Sequence, residues 1–171
     1  ISRISTGKLT LRCEVVDMTI LIADAVDACR PVMTARMQRF GVDVPSRALE
    51  VHGDPVRLAQ ILSNLLDNAS KYTPDGGHIC LSAAWSAQRL AIEVSDDGEG
   101  IPPEDLPRIT ERFFRVARPH TQAVHGFGLG LALVSAIARH YHGLLRIEST
   151  GVPGEGTRAF LELPLAHAPT V

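Results

Sequence analysis

Three short stretches of the chain carry residues whose types and spacing could do chemistry. The first lies within residues 54–72. On a wheel at about 100° per residue, Leu58, Ile61, Leu62, Leu65, Leu66 and Ala69 form one broad apolar face, while Arg57, Gln60, Asn64, Asn68 and Lys71 fall on a polar stripe. Asparagine is a poor mid-helix residue because its amide competes for backbone hydrogen bonds. Two of them one turn apart, with a lysine beyond, make a row of amide oxygens ending in a cation. Such a row could hold a hydrated Mg²⁺, which prefers oxygen ligands and keeps waters, beside phosphate oxygens met by Lys71. A solvated helix face with two amides is the plain alternative.

The second stretch is Asp96-Asp97-Gly98-Glu99-Gly100-Ile101-Pro102, at the end of a strand-like run. A carboxylate there can accept a hydrogen bond from an exocyclic amine such as adenine's. Guanine presents a carbonyl at that position and would set two acceptors against each other, so Asp96 could select the base. Glycines let backbone approach a flat ring. An ordinary Asp-Gly turn is the alternative. An EF-hand loop fits less well, because its first position would be Glu93 and a strand rather than a helix precedes it. The third stretch, Gly126-Phe127-Gly128-Leu129-Gly130, opens a helical segment. Free amides at a helix start suit phosphate, although a flexible hinge would use the same glycines. Neither the GxGxxG nor the GxxxxGK[ST] pattern occurs.

The elements that must position these residues can be read coarsely. A strand is expected at 14–18 and a helix over 19–37 that kinks or ends near Pro31, followed by an extended run at 48–52. Asp54-Pro55 reads as an N-cap with proline at the first helical position, and Thr73-Pro74-Asp75-Gly76-Gly77 as the stop. Strands at 78–85 and 89–95 form a hairpin. A short segment at 106–114 and a polar stretch to His125, a candidate lid, come next. A helix over 129–142 with Gly143 as its cap precedes strands at 144–149 and 157–163. Leu129, Leu133, Val134, Ile137 and Tyr141 share that helix's apolar face. Strands and helices mix without strict alternation, which predicts helices layered on one face of a mixed sheet.

Composition narrows the classes. The 171 residues suit a single domain, with 45% hydrophobic and 21% charged residues. A formal net charge of −2 and no basic tract argue against nucleic acid or an anionic membrane as partner. Cys13, Cys29 and Cys80 are odd in number and far apart, and are expected to be reduced, small core residues of a cytoplasmic protein. No apolar run approaches the roughly 18 residues of a membrane span. His120, His125, His140 and His142 lack metal-ligand spacing and read as surface residues. The chain opens on Ile1 rather than Met, which reads as a boundary inside a longer protein.

Order and spacing add what the single motifs lack. The run from Asn64 through Lys71-Tyr72-Thr73-Pro74 resembles the N box of sensor histidine kinases, and residues 96–102 resemble their first glycine box. Glu111-Arg112-Phe113-Phe114-Arg115 is similar to the F box, residues 126–131 to the second glycine box, and Gly154-Glu155-Gly156-Thr157 to the final GxGT element. The resemblance covers about residues 14 to 165. It implies a Bergerat-type α/β (α+β) two-layer sandwich, a mixed, mostly antiparallel sheet packed on one layer of helices, that binds ATP and Mg²⁺.

Carried over by motif position, the resemblance makes Asn68 the Mg²⁺ ligand, with Asn64 assisting. Lys71 would meet phosphate, Tyr72 the sugar-phosphate portion, and Asp96 the adenine amine, with Gly98, Gly100 and Ile101 around the base. Gly126, Gly128, Leu129 and Gly130 would serve the lid and phosphates, Thr157 the adenine pocket, and Arg115 the γ-phosphate during transfer. Residues 1–12 resemble the end of a dimerisation helix, 13–166 the catalytic domain, and 167–171 a tail. The implied partners are a dimerisation domain bearing the phosphoacceptor histidine, absent here because no His lies in an H-E-x-x-x-P context, and a response-regulator receiver domain. A membrane-anchored parent protein is compatible with the same resemblance. Three departures stand out: Asp97 where Asn is common, Phe127 where a small residue is usual, and His125 where Gly is frequent. They are expected to alter affinity without removing a required group. A regulatory nucleotide-binding module and an ATPase of the same superfamily are the rival functions. The F box argues against the ATPase, and neither Gln60 nor Asn64 supplies the carboxylate it would need.

Overall fold

Alternating burial and helical periodicity sort the chain into two layers in the computed structural model, which describes residues 12–117 and 128–167. The elements run β1 (Glu14–Asp17), α1 (Met18–Ala35), β2 (Arg39–Asp43), β3 (Glu50–Gly53), α2 (Pro55–Tyr72), β4 (His78–Ser86), β5 (Arg89–Asp96), a 3₁₀ turn at Leu106–Arg108, α3 (Gly130–His140), β6 (Leu144–Ser149) and β7 (Thr157–Pro164). Five strands form one sheet in the order β2-β4-β5-β7-β6, and β1 pairs with β3 in a separate ribbon. Only β2 and β4 run parallel in the main sheet; the other pairs are antiparallel. The two-layer mixed sandwich is as the sequence predicts.

Helix α2 is the middle of the helical layer, contacting α1, α3 and β5. Its expected apolar face is the face that is buried: Leu58, Ile61, Leu62, Leu65, Leu66 and Ala69 all lie in the core. They meet Leu81, Leu90, Ile92 and Leu161 from the inward positions of the sheet, as a period-2 pattern requires. Asp54 caps the helix by accepting from the amides of Val56 (2.9 Å) and Arg57 (3.4 Å), with Pro55 in the first turn. The Asp54 amide in turn donates to the Tyr141 hydroxyl at 2.9 Å, tying the start of α2 to the end of α3.

Several local expectations differ. Helix α1 passes through Pro31 to Ala35; Pro31 is on the solvent face, where water can satisfy the carbonyl it leaves unpaired, and Met33 anchors the next turn in the core. Strand β2 is not evident in the sequence pattern, because this edge strand buries no residue fully. The segment at 106–114 contains only the short turn. Helix α3 starts at Gly130 and ends at His140, and His142 rather than Gly143 takes the left-handed conformation, φ 57°. Gly143 is required for closeness instead: a Cβ there would lie 2.3 Å from the Glu162 carbonyl oxygen. Leu129 precedes α3 and is exposed rather than core-facing. The cysteines are free, but Cys13 and Cys80 are exposed and Cys29 only half-buried; Cys80 falls on the outward parity of β4, between buried Ile79 and Leu81. His140 and His142 are exposed, as expected. No helix among the described residues is long and apolar enough to cross a membrane.

Candidate functional site

The polar stripe of α2 faces a cavity of about 350 Å³ between α2, the start of α3, the loop after β5 and the segment around Phe114. Asn64 and Asn68 are half-buried on its wall, and Lys71 and Tyr72 continue that wall to the exposed end of the helix. The first turn of α3 crosses close by: a Cβ on Gly130 would lie 3.4 Å from Asn64 Oδ1 and 3.9 Å from Asn68 Nδ2. Two amide side chains therefore sit under a helix start, where backbone N–H groups have no intrahelical partner.

The floor is apolar. Val94 on β5, Ala159 on β7 and Ile147 on β6 are neighbours in register and all line the cavity. This flat row suits a planar ring. At its edge is Asp96, the last residue of β5. Its Oδ1 accepts from the amides of Gly98 (2.9 Å) and Thr157 (3.3 Å), and the residue lines the cavity. Burial pushes the Asp96 carboxyl up to about 6, against the lowering effect of those two amides, with the neighbouring Asp97 charge adding to the rise.

Of the residues expected at a site, Asn64, Asn68, Lys71, Tyr72, Asp96, Gly100, Ile101, Arg115, Gly128, Leu129, Gly130 and Thr157 line this cavity together. Gly98 does not line it. It lies behind, where a Cβ would come 2.2 Å from the Tyr72 carbonyl oxygen, an oxygen that also accepts from the Glu99 amide at 3.2 Å. Gly126, Phe127, His120 and His125, with most of the polar stretch before α3, lie outside the described residues, as do residues 1–11 and 168–171. Asp97 turns away from the cavity: it accepts from the His78 amide at 2.7 Å and pairs with His78 Nδ1 at 2.9 Å. Burial alone would raise the Asp97 carboxyl, but these His78 contacts outweigh it and hold it below the usual range.

Residues not singled out in the sequence complete the site. Asp67 and Glu99 add carboxylates to the lining, and Ile109, Phe114 and Leu131 add apolar wall. Ser149 binds two loops at once, accepting from the Ile101 amide at 2.8 Å and donating to the Gly156 carbonyl at 2.7 Å. The inward parity of β5, β6 and β7 is a signal that would have found the floor. Ser149 carries no such signal, because the Ile101 amide it holds is 48 positions away. Among the described residues no group of three or more His, Cys, Asp or Glu side chains could hold a metal ion by itself. Asn64 and Asn68 nevertheless fit a magnesium ion that takes its remaining oxygens from phosphate and water.

The chain is similar in sequence and in fold to known proteins. The adaptive-response sensory kinase SasA of Thermosynechococcus vestitus is 38% identical over 159 residues, which are 92% of this chain and 41% of that protein. The chain thus spans about two-fifths of that relative's length. A solved structure of the mycobacterial sensor histidine kinase MprB superposes with a TM-score of 0.79 at 30% identity, covering 92% of this chain and 99% of that one. Full-length ShkA in complex with AMPPNP superposes with a TM-score of 0.79 at 29% identity over 96% of this chain and 34% of that one. Residues 53–167 match the family described as histidine kinase-, DNA gyrase B- and HSP90-like ATPase. With that match spanning the α2 wall, both glycine-rich segments and β7, the chain belongs to this ATPase family and, within it, to the catalytic domains of sensor histidine kinases.

Proposed function

We propose that this cavity binds Mg²⁺-ATP and that, in the parent protein, the γ-phosphoryl group passes to a histidine on a dimerisation domain. The observation that carries the reading is the polarity of one cavity. A half-buried carboxylate stands at an apolar, ring-sized floor, and two amides, a lysine and a helix start stand at the other end. Adenine would lie on Val94, Ala159 and Ile147 with its amine donating to Asp96; Gly100, Ile101 and Thr157 would border it. Lys71, the Gly130 end of α3 and Arg115 would meet the phosphates, and Tyr72 the sugar-phosphate portion. Asn68 and Asn64 would hold Mg²⁺, which supplies charge neutralisation at the phosphates when bound.

In the transfer, an imidazole nitrogen forms a bond to the γ-phosphorus as the bond to the β,γ-bridging oxygen breaks, ADP leaves, and the imidazole proton is lost to solvent or a neighbouring base. Positioning and charge stabilisation supply most of the catalysis in such reactions. The ShkA structure, described as a complex with AMPPNP, supports the nucleotide assignment. A response-regulator receiver domain would take the phosphoryl group onward.

Isothermal titration of Mg²⁺-ATP tests the reading. Wild type is expected to bind, and Asn68→Ala and Asp96→Ala to lose about 2 kcal/mol or more each, the scale of a charge-assisted or metal-linked contact. Absence of any heat at millimolar nucleotide would sink it.

A further inference from the structure

The Asp96 carboxylate takes its orientation from two segments that are far apart in sequence. Gly98 N–H comes from the loop after β5, and Thr157 N–H from the start of β7, where the β6–β7 turn ends, and both end on the same Oδ1. Fixing that oxygen therefore requires the two segments to keep a set spacing.

Ser149, the last residue of β6, stands at their junction. Its one hydroxyl hydrogen goes to the Gly156 carbonyl, at 2.7 Å, next to Thr157. Its lone pairs accept from the Ile101 amide at 2.8 Å and the Gly151 amide at 3.4 Å. A hydroxyl has one donor and two acceptor sites, so this one is fully used, across both segments. Glycines make the approach possible: a Cβ on Gly100 would lie 2.8 Å from Ser149 Oγ, and one on Gly156 would lie 1.7 Å from the Asp96 carbonyl oxygen. A second link joins the segments, the Gly154 amide to the Gly98 carbonyl at 2.9 Å. Of these two links, the one through Ser149 reaches Ile101, which lines the cavity.

We propose that Ser149 is a positioning residue for base recognition: its hydroxyl sets the distance between the loop after β5 and the β6–β7 turn, and so holds Asp96 in the orientation that selects adenine over guanine. This rests on the adenine-nucleotide reading of the cavity. Ser149 does not line the cavity, and its effect on selectivity passes through Asp96.

The test is calorimetric titration of Mg²⁺-ATP and Mg²⁺-GTP between pH 5 and 8 into wild type, Ser149→Ala, Ser149→Thr, Asp96→Asn and the Ser149→Ala/Asp96→Asn double variant, with thermal melts of each. Ser149→Ala is expected to weaken ATP by about tenfold, one hydrogen bond's worth of affinity, while GTP changes little, so that the ATP:GTP ratio narrows. Ser149→Thr, which keeps the hydroxyl, restores the ratio. In the Asp96→Asn background Ser149→Ala leaves the ratio unchanged. The pH midpoint for ATP binding moves upward in Ser149→Ala, because Asp96 is held less firmly by the two amides that favour its ionised form. If Ser149→Ala melts too low to assay, Ser149→Cys, whose thiol bonds more weakly, is expected to narrow the same ratio. Equal weakening of ATP and GTP, or a Ser149→Ala effect on the ratio that persists in the Asp96→Asn background, overturns the inference and leaves the nucleotide reading standing. Failure of wild type to bind either nucleotide overturns both.

Discussion

At the residue scale, Asp96 combines two opposed demands. Its folded carboxyl takes up a proton at about pH 6, whereas the ordinary value is 3.8. Between those values the folded state binds more protons than the unfolded chain, so stability falls as pH rises through the window and levels off above it. Each pH unit between the two values is worth about 1.4 kcal/mol, so the cost at pH 7 is on the order of 2–3 kcal/mol. Asp96→Asn is therefore expected to be more stable than wild type in urea denaturation at pH 7, with the advantage gone at pH 4. ATP binding should run the other way, rising with pH through about 6 as the carboxylate ionises and becomes a full acceptor for the adenine amine. Calorimetry across pH 5–8 on wild type and Asp96→Asn reads this; a flat wild-type profile would remove Asp96 from base recognition. Stability conceded for function at one half-buried group is expected at a binding site.

At the element scale, the end of α2 needs support from outside the helix. Its last carbonyls lack intrahelical partners, and Lys71 and Tyr72 sit on that turn. Gln38 Nε2 donates to the carbonyls of Ser70 and Thr73, each at 2.9 Å, and its Oε1 accepts from Ser70 Oγ at 2.9 Å. Arg36 reaches the same two carbonyls and pairs with Asp75 at 2.9 Å. Gln38 is only 7% exposed, so its removal strands the buried Ser70 hydroxyl and leaves the two carbonyls to Arg36 alone. Gln38→Ala is expected to cost about 2–3 kcal/mol, seen as a lower urea midpoint with an unchanged slope. A change below about 0.5 kcal/mol would mean that the Arg36 contacts alone suffice.

At the scale of the whole molecule, one helical layer and one sheet enclose the cavity, and the family's catalytic domains supply the same layers. No histidine of this chain stands in an H-E-x-x-x-P context, so the proposed transfer would take its nucleophile from the dimerisation domain. Incubation with γ-labelled ATP is expected to leave this chain essentially unlabelled, and to label a dimerisation domain from the parent protein supplied in trans. Rapid acid-labile labelling of this chain alone would contradict the proposed division between catalytic and acceptor domains.

The order of elements and most of the candidate site were legible in the amino-acid sequence, because their causes are local or periodic. The α2 face follows from 3.6-residue spacing, its ends from Asp54-Pro55 and Thr73-Pro74, and the hairpin from period-2 runs around a short turn. Asn64, Asn68, Lys71 and Asp96 each had a plain local alternative, a solvated helix face or an Asp-Gly turn, and stood out through the order and spacing of the motifs that hold them. What only the tertiary structure decided depends on segments distant along the chain. Strand β2 exists because β4 offers it a parallel edge, without an amphipathic pattern of its own. Gly98 and Gly143 are glycine because other segments' carbonyls press against them. Cys80 is exposed because strand parity overrides its preference for the interior. The role of Gln38 comes from hydrogen bonds to residues 32 to 35 positions away, and that of Ser149 from joining the Gly156 carbonyl to the Ile101 amide 48 positions from it. Periodicity along one chain can reveal which face of an element is buried; which distant carbonyl or amide meets it is fixed only when the layers pack.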